Sequence, residues 1–387
     1  MKTRIYKESF FLTPHPFFFI GFFYYLLSPP IFYSFVSSDN LLAEVIPLYN
    51  ESSFNLEYYL DCLVIALFFL VGYFSAKSIK VKTFARTNPN LSALKIIFLS
   101  LCFSLFFMTF SFRDVLFQGY REFDVFSLGF INSILLLVTF ILILLSERAY
   151  YKIGFLFWFF FVAVLLFSGA RNISIAASIT VVLFFALKNA ITIRQLFFLA
   201  VTVLFFTVFF GIYRLGFSFD LSSVLIHFFA DSFFISASSM CVLEQGRDFI
   251  SVDYSFLGVF VAWIPSFLFE SKYEFLSQLG LHSSASCSPF GGAGLVGQLY
   301  SNFSYFYFLY VFVVGLYYGY IYKKFIKQGG IYTAVYLLSI PLLMFHFYNQ
   351  NIYAYLKILL FNILIFSLLI VILSSLFKLR SQSVFHD

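Results

Sequence analysis

The run VFSLGFINSILLLVTFILILLSER, Val125–Arg148, decides the fold. From Val125 to Ser146 it carries no charge, and it stops at Glu147 and Arg148. At ~1.5 Å of rise per residue, a helix of that length matches a ~30 Å hydrocarbon layer. Comparable runs recur along all 387 residues, which are 61% hydrophobic and 11% charged. That balance leaves too little polar surface to cover a soluble core. The expectation is an all-α, polytopic integral membrane protein forming a single transmembrane domain over residues 1–387. About ten spans are expected, at 14–36, 58–76, 94–112, 125–146, 152–168, 172–187, 195–213, 303–322, 331–348 and 355–377.

Charge placement orients the spans. With a cytosolic N-terminus, the cytosolic segments hold Lys2, Arg4, Lys7, Lys77, Lys80, Lys82, Arg86, Lys95, Arg148, Lys152, Lys188, Arg194, Lys323, Lys324, Lys327, Lys378 and Arg380. The same segments hold only Glu8, Glu147 and Asp387 among the acids. Every second loop is basic, as the positive-inside rule requires, so both termini are expected in the cytosol. The formal +6 charge is then a topology signal and not a nucleic-acid footprint. The first apolar stretch is too long for a cleaved leader, and no small-residue cleavage site follows it. The 63 Phe and 27 Tyr read as base composition of the gene before they read as a ligand site. Cys62 and Cys102 fall in spans; Cys241 and Cys287 share an outer loop, where an oxidising compartment would let them pair.

One loop stands out. Residues 214–302, about 90 in all, form a long extracytosolic (periplasmic) connection in a chain of tight hairpins. A loop of that length is usually functional. Within it, Leu221 to Leu243 places Ser223, His227, Asp231 and Ser238 on one helical stripe, the pattern of an amphipathic helix at the membrane surface or against the bundle. Phe256 to Phe269 is too short to span and contains Pro265, so it reads as interfacial or re-entrant. Two further spans here, giving twelve, are the alternative. No internal repeat is visible, which weakens an inverted-repeat transporter.

Arg171 is the first candidate for chemistry. Lys152 and Lys188 bracket two apolar stretches of about 15 residues, about 23 Å each, with Ser168-Gly-Ala-Arg171 as the turn between them. An arginine at that depth costs up to ~3 kcal/mol unless it meets water, a partner or an anion. Its planar five-donor fork suits a phosphate or diphosphate. Arg214 ends the seventh span at the same face and is a second such cation; Lys357, at the outer end of the last span, is a third. For each, headgroup anchoring is the plain alternative. His282, in a Ser/Gly-rich outer loop, is a candidate general base, and His227 with Asp231, four apart on a helix, is a rival pair. His346, near the outer end of the ninth span, reads as a satisfied core residue, with a lining residue as the alternative. Glu122-Phe-Asp124 is a lone ExD. No HExxH, CxxC, Walker A or dinucleotide fingerprint is present, so no metal or cofactor is expected.

Residues Ser288–Ser304, SPFGGAGLVGQLYSNFS, resemble the O-antigen polymerases (the Wzy type). Members tend to show a Gly-rich turn, a small residue, an acid, a Tyr, then Asn-Phe-Gly entering a late span. Here Gly292 and Gly294 belong to the turn, Tyr300 is the aromatic, and Asn302-Phe303 follow. Gln298 stands where the acid is frequent, and Ser304 replaces the usual Gly. The Gly-Ala-Arg171 turn is similar to the family's small-residue-then-Arg turn. The resemblance implies a metal-independent glycosyltransferase of the bacterial inner membrane. Its substrates would be oligosaccharide repeat units on undecaprenyl diphosphate, polymerised at the periplasmic face into O-antigen or capsule-like polysaccharide. Arg171, Arg214 and Lys357 would hold the diphosphate, and Gly292, Gly294, Gln298, Tyr300 and Asn302 would form the loop motif. The bilayer, a chain-length regulator and a flippase are the expected partners, with no nucleic acid. An O-antigen ligase uses the same donor, and a flippase of lipid-linked oligosaccharide shares the outer cations; both are alternatives.

Overall fold

A computed structural model describes residues 12–29, 56–80, 90–111, 125–148, 151–168, 171–188, 294–349 and 352–383, and parts of 194–275. Those parts are 194–195, 198, 201, 232–233, 235–236, 238–239, 255–262, 264, 269, 271 and 274–275. Every regular element among the described residues is helical. We number them α1 (Pro14–Phe22, continued by a π-turn at Phe23–Leu27), α2 (Leu56–Ser75), α3 (Leu91–Ser111), α4 (Val125–Arg148), α5 (Lys152–Ser168) and α6 (Arg171–Leu187). After a short α7 (Val259–Ala262) come α8 (Leu295–Phe303), α9 (Tyr307–Gln328), α10 (Ile331–Met344), α11 (His346–Asn349), α12 (Ile352–Lys357) and α13 (Phe366–Ser383). A π-helical stretch, Ile358–Ile365, joins the last two.

Four helical stretches are long and apolar enough to cross a membrane: Leu56–Ser75, Leu91–Ser111, Leu295–Gln328 and Ile352–Ser374. Ile131–Glu147, Lys152–Leu165, Ile173–Leu187 and Ile331–Met344 are apolar but shorter. The expected span 195–213 falls almost wholly outside the described residues. The helices are apolar on both sides. On α2, Tyr58, Cys62, Ile65, Phe69 and Tyr73 are buried, while Leu60, Leu63, Leu67 and Phe74 are exposed. An outer face of this kind suits lipid and not water. Cys62 and Cys102 are buried free thiols.

The tightest pairing is α2 with α9. Asp61 meets Tyr307, Phe69 meets Gly315, Tyr73 meets Gly319 and Lys77 meets Lys323. The offset is 246 residues each time, so the two helices run parallel and in constant register. Small residues permit the approach: a Cβ on Gly72 would strike the Phe312 carbonyl, and one on Gly315 the Phe69 carbonyl. Gly315 and Gly319 form a GxxxG pair facing Gly72 and Ala76, the packing device of helices that lack a hydrophobic drive between them.

α10 contains Pro341, which cannot donate to the Leu337 carbonyl. Thr180 on α6 supplies the missing donor, its hydroxyl lying 3.1 Å from Leu337 O and 2.8 Å from its own Ala176 O. Side-chain hydroxyls relieve helix-breaking prolines in this way where no water is at hand. The α9–α10 turn uses two left-handed glycines, Gly329 and Gly330, both with φ 62°. Glu147, at the end of α4, accepts from the Gly330 N–H at 3.0 Å and from Thr333 Oγ1 at 3.1 Å, capping α10 with negative charge. Lys188 Nζ donates to Glu147 O at 3.3 Å, and Lys323 Nζ donates to the carbonyls of Lys77 and Ile79 at 2.5 and 2.6 Å. The ends of α2, α4, α6 and α9, with their lysines, therefore gather at one end of the bundle.

Candidate functional site

The motif residues lie at the opposite end. α8 starts at Gly294, whose backbone lies so close to Ile235 and Ser239 that a Cβ would overlap the Ile235 carbonyl and the Ser239 hydroxyl. Glycine is required there by this approach, not by a turn, since its φ is −71°. Gln298 and Asn302, one turn apart on the buried side of α8, are 4% and 2% exposed. Asn302 Nδ2 donates to Gln298 O at 3.0 Å.

The chain breaks at Ser304, which takes φ 49°, ψ −135° and is the only non-glycine with positive φ among the described residues. That break has a consequence. In a continuous helix Tyr300 and Tyr307 would stand about 10 Å apart along the axis. Here their ring centroids are 5.0 Å apart. Both phenols donate to the same oxygen: Tyr300 to Asp61 Oδ1 at 2.5 Å and Tyr307 to Asp61 Oδ1 at 3.0 Å. Asp61 sits inside the apolar α2 and is 7% exposed. A carboxylate inside a membrane helix costs about 2.5–3.5 kcal/mol unless its lone pairs are met, and such groups mark functional sites. Strong donors to a charged acceptor offset that cost.

Beside this cluster, α11 and α12 pack against α8. Asn349 Nδ2 donates to Tyr25 Oη at 3.3 Å, and Ser236 Oγ donates to Tyr25 O at 3.0 Å. The described residues between 232 and 239 are all buried, so this part of the chain packs against the bundle. His346 is buried as expected, but its Nδ1 has no hydrogen-bond partner among the described residues. Of the two readings, a satisfied core residue or a lining residue, the burial is as the first expects, while Nδ1 does not meet its condition of being satisfied.

Among the expected site residues, Gly294, Gln298, Tyr300 and Asn302 share α8, and Lys357, partly buried, ends α12. Arg171 is the first residue of α6, and its side chain lies outside the described residues, as does the backbone of 169–170 before it. His282, His227, Asp231, Arg214, Gly292 and the ExD pair lie outside the described residues, as do Cys241 and Cys287. Asp61 and Tyr307 were missed. The signal was available in LEYYLDCLVIALFFL, where Asp61 stands past the first-turn Glu57, inside the apolar run itself. No protein-family model matches the chain, and no curated protein or solved structure matches it.

Proposed function

We propose that the chain is a membrane glycosyltransferase that polymerises oligosaccharide repeat units carried on undecaprenyl diphosphate, at the periplasmic face of a bacterial inner membrane. The observation that carries this reading is Tyr300 of the resembling motif donating to the buried Asp61. Where the motif carries Gln298 in place of an acid, an acid reaches its tyrosine from α2. Ser304, standing where the family usually has glycine, holds a positive φ, the conformation glycine adopts freely. In this reading ten spans place both termini in the cytosol. The lysine-bearing end of the bundle faces the cytosol, and α8 faces the periplasm.

The chemistry needs no nucleotide, because the donor is already activated. Arg171, Arg214 and Lys357 neutralise the donor's diphosphate, each guanidinium offering a two-point contact. A base, His282 or the His227–Asp231 pair, takes the proton from an acceptor hydroxyl. That oxygen forms a bond to the anomeric carbon, the carbon–oxygen bond to the diphosphate breaks, and undecaprenyl diphosphate leaves with the electron pair. Asp61 positions Tyr300 and hence the motif helix; it is a positioning residue.

A deletion strain tests the assignment. Loss of a polymerase leaves single repeat units on the surface. Lipid-linked polymer left unattached would instead assign a ligase, and units retained inside a flippase.

A further inference from the structure

The chain leaving α2 carries Lys77, Lys80, Lys82 and Arg86, and no acid stands between Asp61 and Asp114. Its partner α9 ends with Lys323, Lys324 and Lys327, and no acid stands between Glu274 and Asp387. The N–H groups of Lys77, Ser78 and Ile79 donate to the carbonyls of Phe74, Ser75 and Ala76, each three residues back. In such a tightened turn residues three apart stand over one another, so Lys77 and Lys80 share a side. Both are exposed, and no acidic side chain is paired with either among the described residues. The last carbonyls of a helix carry partial negative charge and repel an anion. Lys323 removes that obstacle. Its Nζ takes the Lys77 and Ile79 carbonyls at 2.5 and 2.6 Å, and the ammonium groups of Lys77 and Lys80 are left for an outside partner.

An apolar face leads up to these cations. Leu63, Leu67, Val71 and Phe74 are exposed along one side of α2, a helix long and apolar enough to cross a membrane. From Leu63 to Phe74 the face runs about 16 Å, the depth of one leaflet of a ~30 Å layer. Leu309 and Val313 on α9, in register with Leu63 and Leu67, are exposed as well. Lys77 Nζ lies 4.8 Å from the centre of the Phe74 ring, so cation and apolar face are continuous. An acidic peptide would meet the cations and leave the face uncovered. A neutral lipid would cover the face and leave the cations without a counter-charge. An anionic lipid meets both, and basic clusters directly after a span are sites of this kind. We propose that the lysine-bearing end of the α2–α9 seam binds an anionic phospholipid, its phosphate on Lys77 and Lys80 and an acyl chain along Leu67, Val71 and Phe74. The site stands whether or not the chain is a polymerase.

The test uses the full-length protein in detergent micelles and native mass spectrometry, titrated with phosphatidylglycerol or phosphatidylcholine. The native protein is expected to prefer phosphatidylglycerol about thirtyfold, two lysines at ~1 kcal/mol each. Lys77→Gln/Lys80→Gln should abolish the preference. It should keep its Tm, because Lys323 holds backbone carbonyls that the double variant retains. Lys77→Arg/Lys80→Arg keeps the charge and should keep the preference. Lys95→Gln/Lys152→Gln removes the same charge from exposed positions on α3 and α5 and should change nothing. Equal uptake of the two lipids by the native protein would overturn the proposal. So would an equal loss in the Lys95/Lys152 variant, which would leave only diffuse charge. Displacement of the lipid by glycerol phosphate at matched concentration would also overturn it, since the site would then take a phosphate without a chain.

Discussion

Tyr300 and Asp61, 239 positions apart, are joined by a 2.5 Å hydrogen bond that ties the motif helix α8 to α2. Tyr307 shares the same carboxylate oxygen at 3.0 Å. Removing one phenol leaves a buried charge short of a donor. Tyr300→Phe should therefore lower stability by roughly 1.5–3 kcal/mol, and Asp61→Asn by a similar amount. The Tyr300→Phe/Asp61→Asn double variant should lose less than the sum of the two. Thermal unfolding in detergent provides the cycle, and strict additivity would deny the coupling.

Ser304 tests the backbone break. A non-glycine at φ 49°, ψ −135° stores about 1–3 kcal/mol. Ser304→Gly is expected to raise Tm and preserve any glycan ladder, whereas Ser304→Val should lower both. A neutral result for both would mean that the chain does not hold this conformation.

The α2–α9 seam is tested at its glycines. At Gly315 an added methyl meets a carbonyl on the facing helix, which has no flexible end to move aside. Gly315→Leu should abolish folded protein in the membrane, while Leu316→Ala should spare it. On α6, Thr180→Val leaves the Leu337 carbonyl without its donor and should cost about 1 kcal/mol.

Arg171 and Arg214 separate two readings by fork geometry. Lysine snorkels about as well as arginine but loses the planar contact. If Arg171 and Arg214 grip a diphosphate, Arg171→Lys and Arg214→Lys should shorten glycan ladders at matched expression. The loss is about ten- to a hundredfold in the affected step, and alanine should be worse. Full-length ladders in both lysine variants would leave the arginines as headgroup anchors.

The apolar runs located α2 to α6, α9 and α10 to within a few residues, because span length and hydropathy act locally. The GxxxG seam was equally local, written as Gly315-Leu-Tyr-Tyr-Gly319, but its partner, Gly72, could be named only once the register was known. Asp61 was visible as an acid inside an apolar run. Its meaning was not, because it depends on two tyrosines brought together by the break at Ser304. The unusual serine was noticed as a departure from a motif, while its backbone conformation was not legible in the residue itself. The Thr180–Leu337 contact was likewise hidden: Pro341 announces a missing donor but not where a substitute comes from.

Polymerisation from a lipid-diphosphate donor is a reaction that can be reconstituted. Its most direct measurement uses the purified protein in liposomes, given lipid-linked repeat units extracted from the deletion strain, without nucleotide and with EDTA present. A ladder of lengthening glycan and the release of undecaprenyl diphosphate are expected, with Arg171→Ala giving neither. Repeat units recovered unlengthened, with no undecaprenyl diphosphate released by the native protein, would contradict it.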